Sequence, residues 1–149
     1  MVSLSSAQRT LLVAGAALFL LGLLQGAAVQ TFANPRMALS AHLTAVQSGT
    51  ALMIVGVVWS ALSRAPRTGA FTRWAIVIGM YGLWIGLTTA AATGASKDLP
   101  IAGAGHSADA TIEQIVSAIV LGSSVLMTLG WIMFLVGLIR SGRASTPKD

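Results

Sequence analysis

Long apolar segments separated by short polar connections dominate the hydrophobicity pattern of the chain. Four such segments occupy residues 10–29, 39–62, 74–95 and 115–139. A helix of about 20 apolar residues is long enough to cross the roughly 30 Å hydrocarbon core of a bilayer. The pattern therefore predicts an all-α integral membrane protein, a four-transmembrane-helix bundle that forms a single domain and ends in a polar tail at residues 141–149.

The composition excludes a water-soluble protein and limits the chemistry. Only 9% of the 149 residues are charged, whereas a soluble domain carries about 25%. The chain has no cysteine, which excludes disulfides and thiolate metal sites. The first segment resembles a signal peptide because Arg9 precedes an apolar run, but that run is long for such a peptide. We expect it to be kept as the first helix.

The nine Lys and Arg residues are distributed unequally over the polar connections. Two, Arg36 and Lys97, lie in the first and third connections, and seven lie elsewhere. These seven are Arg9, Arg64, Arg67, Arg73, Arg140, Arg143 and Lys148. Since basic residues accumulate on the cytoplasmic side of membrane proteins, we expect both termini in the cytoplasm of a multi-pass protein of the inner (cytoplasmic) membrane. The scattered positions argue against a nucleic-acid partner.

Glycine recurs along each apolar segment at intervals that suit helix packing. Small residues let helices approach closely in lipid, where apolar contact alone gives little preference for protein over lipid. The pattern predicts a tight bundle and a homo-oligomer. These positions include Gly15, Gly22, Gly26, Gly49, Gly56, Gly79, Gly82, Gly86, Gly122, Gly130 and Gly137.

His42, about one turn inside the second segment, is the polar residue that most directly suggests chemistry. An ionisable residue within a span is a functional candidate, and a neutral imidazole can accept a proton or coordinate a metal. Gln47 and Ser48 lie one to two turns deeper on the same helix. An interfacial histidine bonded to a carbonyl group is equally consistent with this pattern.

Aromatic residues in the third segment provide a candidate substrate contact. Tyr81 and Trp84 fall near the middle of the membrane, where we expect the second and third helices to frame one pocket. Such rings can stack on an aromatic substrate, although aromatic residues at this depth also occur in bundle cores and on lipid-facing surfaces. Arg36 could neutralise a propionate or a lipid phosphate, or be an ordinary interfacial arginine.

The sequence contains no Walker loop, dinucleotide fingerprint, HExxH motif or serine elbow, which argues against conventional hydrolysis and phosphoryl transfer. The third connection holds His106, Asp109 and Glu113. Their spacing matches no recognised metal site. We therefore expect a solvated loop.

Three stretches of the chain carry recognisable motifs. The first is Phe-Ala-Asn-Pro-Arg-Met-Ala-Leu-Ser-Ala-His-Leu at residues 32–43, followed by Gly49-Thr50; the others are Tyr81-Gly82 and residues 99–106. Together these stretches resemble the hydroxylaminobenzene mutase family. This family is similar in turn to styrene oxide isomerase, a four-helix membrane enzyme. There the corresponding histidine holds a b-type haem between the subunits of a trimer, and ferric iron acts as a Lewis acid.

The resemblance implies an isomerase that moves a hydroxyl group within an arylhydroxylamine, converting hydroxylaminobenzene or a relative into a 2-aminophenol. It implies His42 as the axial ligand of haem b and favours a homotrimer in the lipid bilayer. The chain departs from the family at Ser48, where Asn is usual, and at Gly86-Leu87, which replaces an Asn-Trp pair. This leaves open an epoxide isomerase, a non-enzymatic haem-binding protein or a structural membrane protein.

The resulting site prediction combines these residues. Its catalytic members are Ser48 and Gln47, which would hydrogen-bond the small aromatic substrate, and Tyr81 and Trp84, which would face its ring. Its cofactor-binding members are His42, Arg36 and Gly49, with His42 as the metal ligand.

Overall fold

The structure is a computed structural model that describes residues 4–62 and 66–144. Its helices are α1 (Ser6–Ala27), α2 (Pro35–Val58), α3 (Pro66–Thr93), the short α4 (Pro100–Gly103) and α5 (Ala110–Ala144). Two 3₁₀ turns follow α1 and α2, at Val29–Thr31 and Trp59–Ala61. Among these described residues, four helices are long and apolar enough to cross a membrane. The predicted all-α membrane fold is therefore confirmed.

Helices α1, α2 and α5 begin about one turn earlier than the apolar segments do, because polar residues cap them. Ser5 and Gln8 form a capping box, with bonds of 3.3 Å and 3.1 Å between each side chain and the backbone N–H of the other. Asn34 Oδ1 accepts from Met37 N at 3.1 Å, and Asp109 caps α5 in the same way. Each cap satisfies N–H groups that have no partner within the helix.

The helices form two antiparallel pairs, α1 with α2 and α3 with α5, joined through contacts between α2 and α3. Helix α1 also touches α3, whereas α5 packs mainly on α3 and leaves most of its surface for lipid or another chain. Because four spans bring the chain back to its starting side, the start of α1 and the end of α5 lie on the same side of the bundle. Which side faces the cytoplasm stays a prediction.

Glycines bring the backbones of paired helices into direct contact. A Cβ on Gly49 would lie 2.6 Å from Phe19 N and 2.7 Å from Gly15 O. In the second pair, a Cβ on Gly79 would lie 2.7 Å from Met127 N. These approaches leave no room for a side chain, as the sequence predicts. The prediction is wrong for Gly122, where a Cβ would meet nothing within 4 Å in the described structure.

The connection between α3 and α5 is largely exposed, as expected of a solvated loop, and one carboxylate orders its backbone. Glu113 accepts hydrogen bonds from the backbone N–H groups of Ser96, Lys97 and Ala108, at 2.9–3.1 Å. His106 is exposed. Within residues 4–62 and 66–144, no three His, Cys, Asp or Glu residues are grouped to hold a metal ion. The acidic side chains here organise the backbone.

Asn34 ties this connection to the start of α2. It is 1% exposed, its backbone N–H donates to Ala91 O at 2.9 Å, and its Nδ2 donates to Ala102 O at 3.0 Å. One residue thus joins the end of α3, the short helix α4 and the helix that carries His42. The start of α2 is held in place by this arrangement.

Candidate functional site

His42 contacts α1 through a hydrogen bond that determines its tautomer. Because α2 begins at Pro35, the residue lies about two turns inside the helix, deeper than predicted. Its Nδ1 is 2.7 Å from Gly22 O. Since a carbonyl oxygen can only accept, Nδ1 carries the proton, and in the tautomer with a single ring proton Nε2 keeps its lone pair. Nε2 makes no hydrogen bond within the described part of the chain.

The imidazole of His42 rests directly on Gly26. A Cβ at Gly26 would lie 2.7 Å from both Nδ1 and Cε1 of the ring. Any larger residue there would push the imidazole away from the carbonyl of Gly22, which lies one turn earlier on the same side of α1. Gly22 and Gly26 together form a cradle that positions the ring.

Gln25, which is not among the residues predicted from the sequence, links α1 to α3 beside this cradle. Its Oε1 accepts from Trp84 Nε1 at 2.7 Å, and its Nε2 donates to Thr88 Oγ1 at 3.1 Å. Gln25 is 7% exposed. The sequence signal that could have indicated Gln25 is that it is the single amide side chain within the first apolar segment, between Gly22 and Gly26. Its bonds place Trp84 at the same depth as the His42 cradle.

Replacing Gln25 with leucine should destabilise the bundle, because Trp84 Nε1 would lose its acceptor in apolar surroundings. We expect the free energy of unfolding to fall by about 1–2 kcal/mol. Thermal unfolding in detergent, followed by circular dichroism, measures the change. The matched control is Gln47→Leu, since Gln47 is exposed on α2. Equal stability of the two variants would contradict a structural role for the Gln25 bonds.

Tyr81 and His42 contact α1 at different depths in the bundle. Its hydroxyl donates to Ala14 O at 2.8 Å, and Ala14 is about 12 Å below Gly22 along α1. Tyr81 lines a cavity of about 500 Å³ between α1 and α3. The expectation of one pocket framed by the second and third helices is therefore wrong for these residues, because His42 and Tyr81 both turn towards α1.

The remaining predicted site residues are dispersed around α2. Gln47 is exposed, whereas Ser48 is buried at 9% exposure. Gly49 is covered by the backbone of α1. Arg36 lies at the start of the helix, with Nη1 3.4 Å from Ile101 O. Their roles in catalysis and cofactor binding stay predictions.

A second cavity, of about 320 Å³, opens at the α4 end of the bundle. Its lining includes Met37 and Ser40 of α2, Leu87 of α3 and Ile101 of α4. Two residues along a helix correspond to a rotation of about 200°, so Ser40 and His42 lie on opposite sides of α2. This cavity therefore does not contact the His42 cradle directly.

The arrangement of four spans and an intramembrane histidine can be compared with known families. The family profile described as styrene oxide isomerase matches residues 7–139. The chain belongs to the styrene oxide isomerase family. Membership establishes it as an isomerase with membrane-spanning helices and confirms the predicted enzyme class. No solved structure matches the chain.

Two curated relatives from Ectopseudomonas oleovorans match nearly the whole chain. Hydroxylaminobenzene mutase HabA is 34% identical over 134 residues, which cover 89% of this chain and 99% of the relative. Hydroxylaminobenzene mutase HabB is 38% identical over 144 residues, which cover 95% of this chain and 86% of the relative. The resemblance to hydroxylaminobenzene mutases found in the sequence is therefore confirmed, and it extends over nearly the whole chain of this styrene oxide isomerase family member.

Proposed function

We propose that the protein moves the hydroxyl group of an arylhydroxylamine from nitrogen to the ortho carbon of the ring, forming a 2-aminophenol. The observation that carries this proposal is the His42 imidazole, with Nδ1 held by Gly22 and Nε2 free to bind. The two relatives named above support the substrate class, because both are hydroxylaminobenzene mutases.

The donor set around His42 fits haem better than a metal ion bound by protein alone. Metal-bound histidines commonly donate their other ring N–H to a carbonyl or carboxylate, which is how Nδ1 is bonded. Zinc-type sites take three or four protein ligands, whereas haem iron can be held by one histidine. A ferric haem held through His42 Nε2 would supply a Lewis acid for the substrate's hydroxyl oxygen.

The surrounding residues would orient the substrate and exclude water. The N–O bond breaks, a C–O bond forms at the ortho carbon, and the proton lost from that carbon is balanced by one gained at nitrogen. An apolar environment limits attack by water on the electron-poor ring. Trp84, held by its bond to Gln25, is suited to stack on that ring.

Ser48 is suited to hydrogen-bond the polar end of the substrate. Ser40 and Thr50 of the same helix donate to the carbonyl oxygen four residues earlier. Ser48 is 9% exposed, and its hydroxyl has no hydrogen bond within the described residues. A hydroxyl without a protein partner gains from a ligand that supplies one. This supports the predicted contact between Ser48 and the substrate.

Isotope labelling tests the intramolecular transfer. The purified protein is incubated with hydroxylaminobenzene in ¹⁸O-labelled water, and the 2-aminophenol formed is analysed by mass spectrometry. We expect the product to keep the oxygen of the substrate. A control reaction without enzyme corrects for spontaneous rearrangement. Incorporation of mainly solvent oxygen would rule out the intramolecular step.

Isomerisation of an epoxide to a carbonyl compound is the second candidate function. It is favoured by the description of the matching family profile, styrene oxide isomerase. The same Lewis-acid chemistry would open an epoxide. Parallel assays with hydroxylaminobenzene and styrene oxide separate the two candidates, and turnover of the epoxide alone would replace the first proposal with the second.

A further inference from the structure

A groove between α1 and α3 runs along α1 from its first turn to about the middle of the bundle, and along α3 from Trp74 to Tyr81. It has a volume of about 500 Å³ and is largely open. Ser6 and Arg9 are polar and line the end of the groove at the start of α1, and Val13 and Val77 line its wall. Tyr81 lies at the inner end. The groove is thus polar at one end and apolar along its length.

The polar end of the groove is positively charged. Arg9 is exposed and makes no ion pair within the described residues. Arg73 lies beside the groove, with its guanidinium carbon 5.6 Å from the ring centroid of Trp74, and its buried Nε has no hydrogen-bond partner there. The described acidic residues, Asp98, Asp109 and Glu113, all lie at the opposite end of the bundle.

The length of the groove matches one leaflet of a bilayer. From Ser6 to Ala17, α1 rises by about 16 Å, which is close to half of the roughly 30 Å hydrocarbon thickness. Trp74 at the rim is half exposed, as is typical of aromatic residues at the membrane interface. An acyl chain would follow the apolar wall while a headgroup stays near Arg9.

We propose that this groove binds one phospholipid with an anionic headgroup. Arg9 and the Ser6 hydroxyl face the phosphate, and one acyl chain lies along Val13 and Val77 towards Tyr81. Basic residues next to a membrane attract anionic lipids, and the absence of acidic residues near the described groove leaves this charge uncompensated. The site is separate from the His42 cradle and does not rest on the proposed reaction.

Native mass spectrometry of the purified full chain tests the site. The protein is titrated with phosphatidylglycerol and with phosphatidylcholine that carries the same acyl chains. We expect one phosphatidylglycerol to bind per chain in preference to phosphatidylcholine. Arg9→Gln should weaken phosphatidylglycerol binding by about five- to tenfold, the effect of losing one basic contact, and weaken phosphatidylcholine binding less, because the choline cation already neutralises that phosphate.

Two further variants keep the test specific. Arg140→Gln removes an exposed arginine on α5 at the same end of the bundle, outside the groove, and should bind phosphatidylglycerol as the unaltered chain does. Ala17→Phe should fill the groove and weaken both lipids. Equal losses in Arg9→Gln and Arg140→Gln would overturn the proposal in favour of general charge attraction. Displacement of the lipid by glycerol phosphate alone would also overturn it.

Discussion

Replacing His42 with alanine should abolish the isomerase activity of the purified protein, together with the absorption band expected from the proposed haem. The reason is that His42 Nε2 is the proposed axial ligand and Nδ1 is already used by Gly22. We expect activity to fall by at least about 100-fold, since even loss of residues that only support a metal ligand costs 10–100-fold. Absorption spectra and product assays after expression with added haem measure both effects.

Two controls separate loss of the ligand from loss of the fold. His106→Ala removes the other histidine, which is exposed in the connection before α5, and should keep the band and the activity. Imidazole added to His42→Ala should restore part of the band by replacing the missing ring. A strong haem band that persists in His42→Ala without imidazole would refute the assignment of His42.

Adding a single methyl group at Gly49 should destabilise the protein although alanine is the better helix former. The new Cβ would meet the backbone of Phe19 and Gly15 at 2.6–2.8 Å, and backbone atoms cannot move aside as a flexible side chain can. We expect Gly49→Ala to lower the free energy of unfolding by about 1–3 kcal/mol, as in other overpacked interiors. Unfolding in detergent followed by circular dichroism measures it.

Gly122→Ala is the matched control because a Cβ at Gly122 meets nothing within 4 Å in the described structure. The gain in helix propensity is then not opposed, and stability should rise by up to about 1 kcal/mol. The opposite signs of the two substitutions isolate the effect of the α1–α2 contact. If Gly49→Ala were as stable as Gly122→Ala, the close approach of α1 and α2 would be incorrect.

The sequence predicted the four spans because a bilayer requires about 20 consecutive apolar residues, and this requirement is local. The helix starts could also have been predicted more closely. Ser5 with Gln8, Asn34 before Pro35, and Asp109 are recognisable caps. The apolar segments begin later than the helices because capping residues and the first turn are polar.

The candidate site was predictable only in part. His42 stands out because ionisable residues are rare in apolar helices, and the resemblance adds its implied role. Gln25 was not predicted, although its hydrogen bond decides the position of Trp84. Its partners, Trp84 and Thr88, are 59 and 63 residues away along the chain. No periodicity within one helix reports contacts of this separation.

The sequence by itself determined the number of spans, the glycine faces and the presence of a histidine within the second helix. Only the tertiary structure decided that His42 and Tyr81 both turn towards α1, and that α1 and α3 enclose a groove. The physical reason is that helical periodicity specifies which residues share a face, whereas the neighbour of each face depends on how all helices pack. In this chain the closest backbone approaches, at Gly15, Gly49 and Gly79, determine that packing.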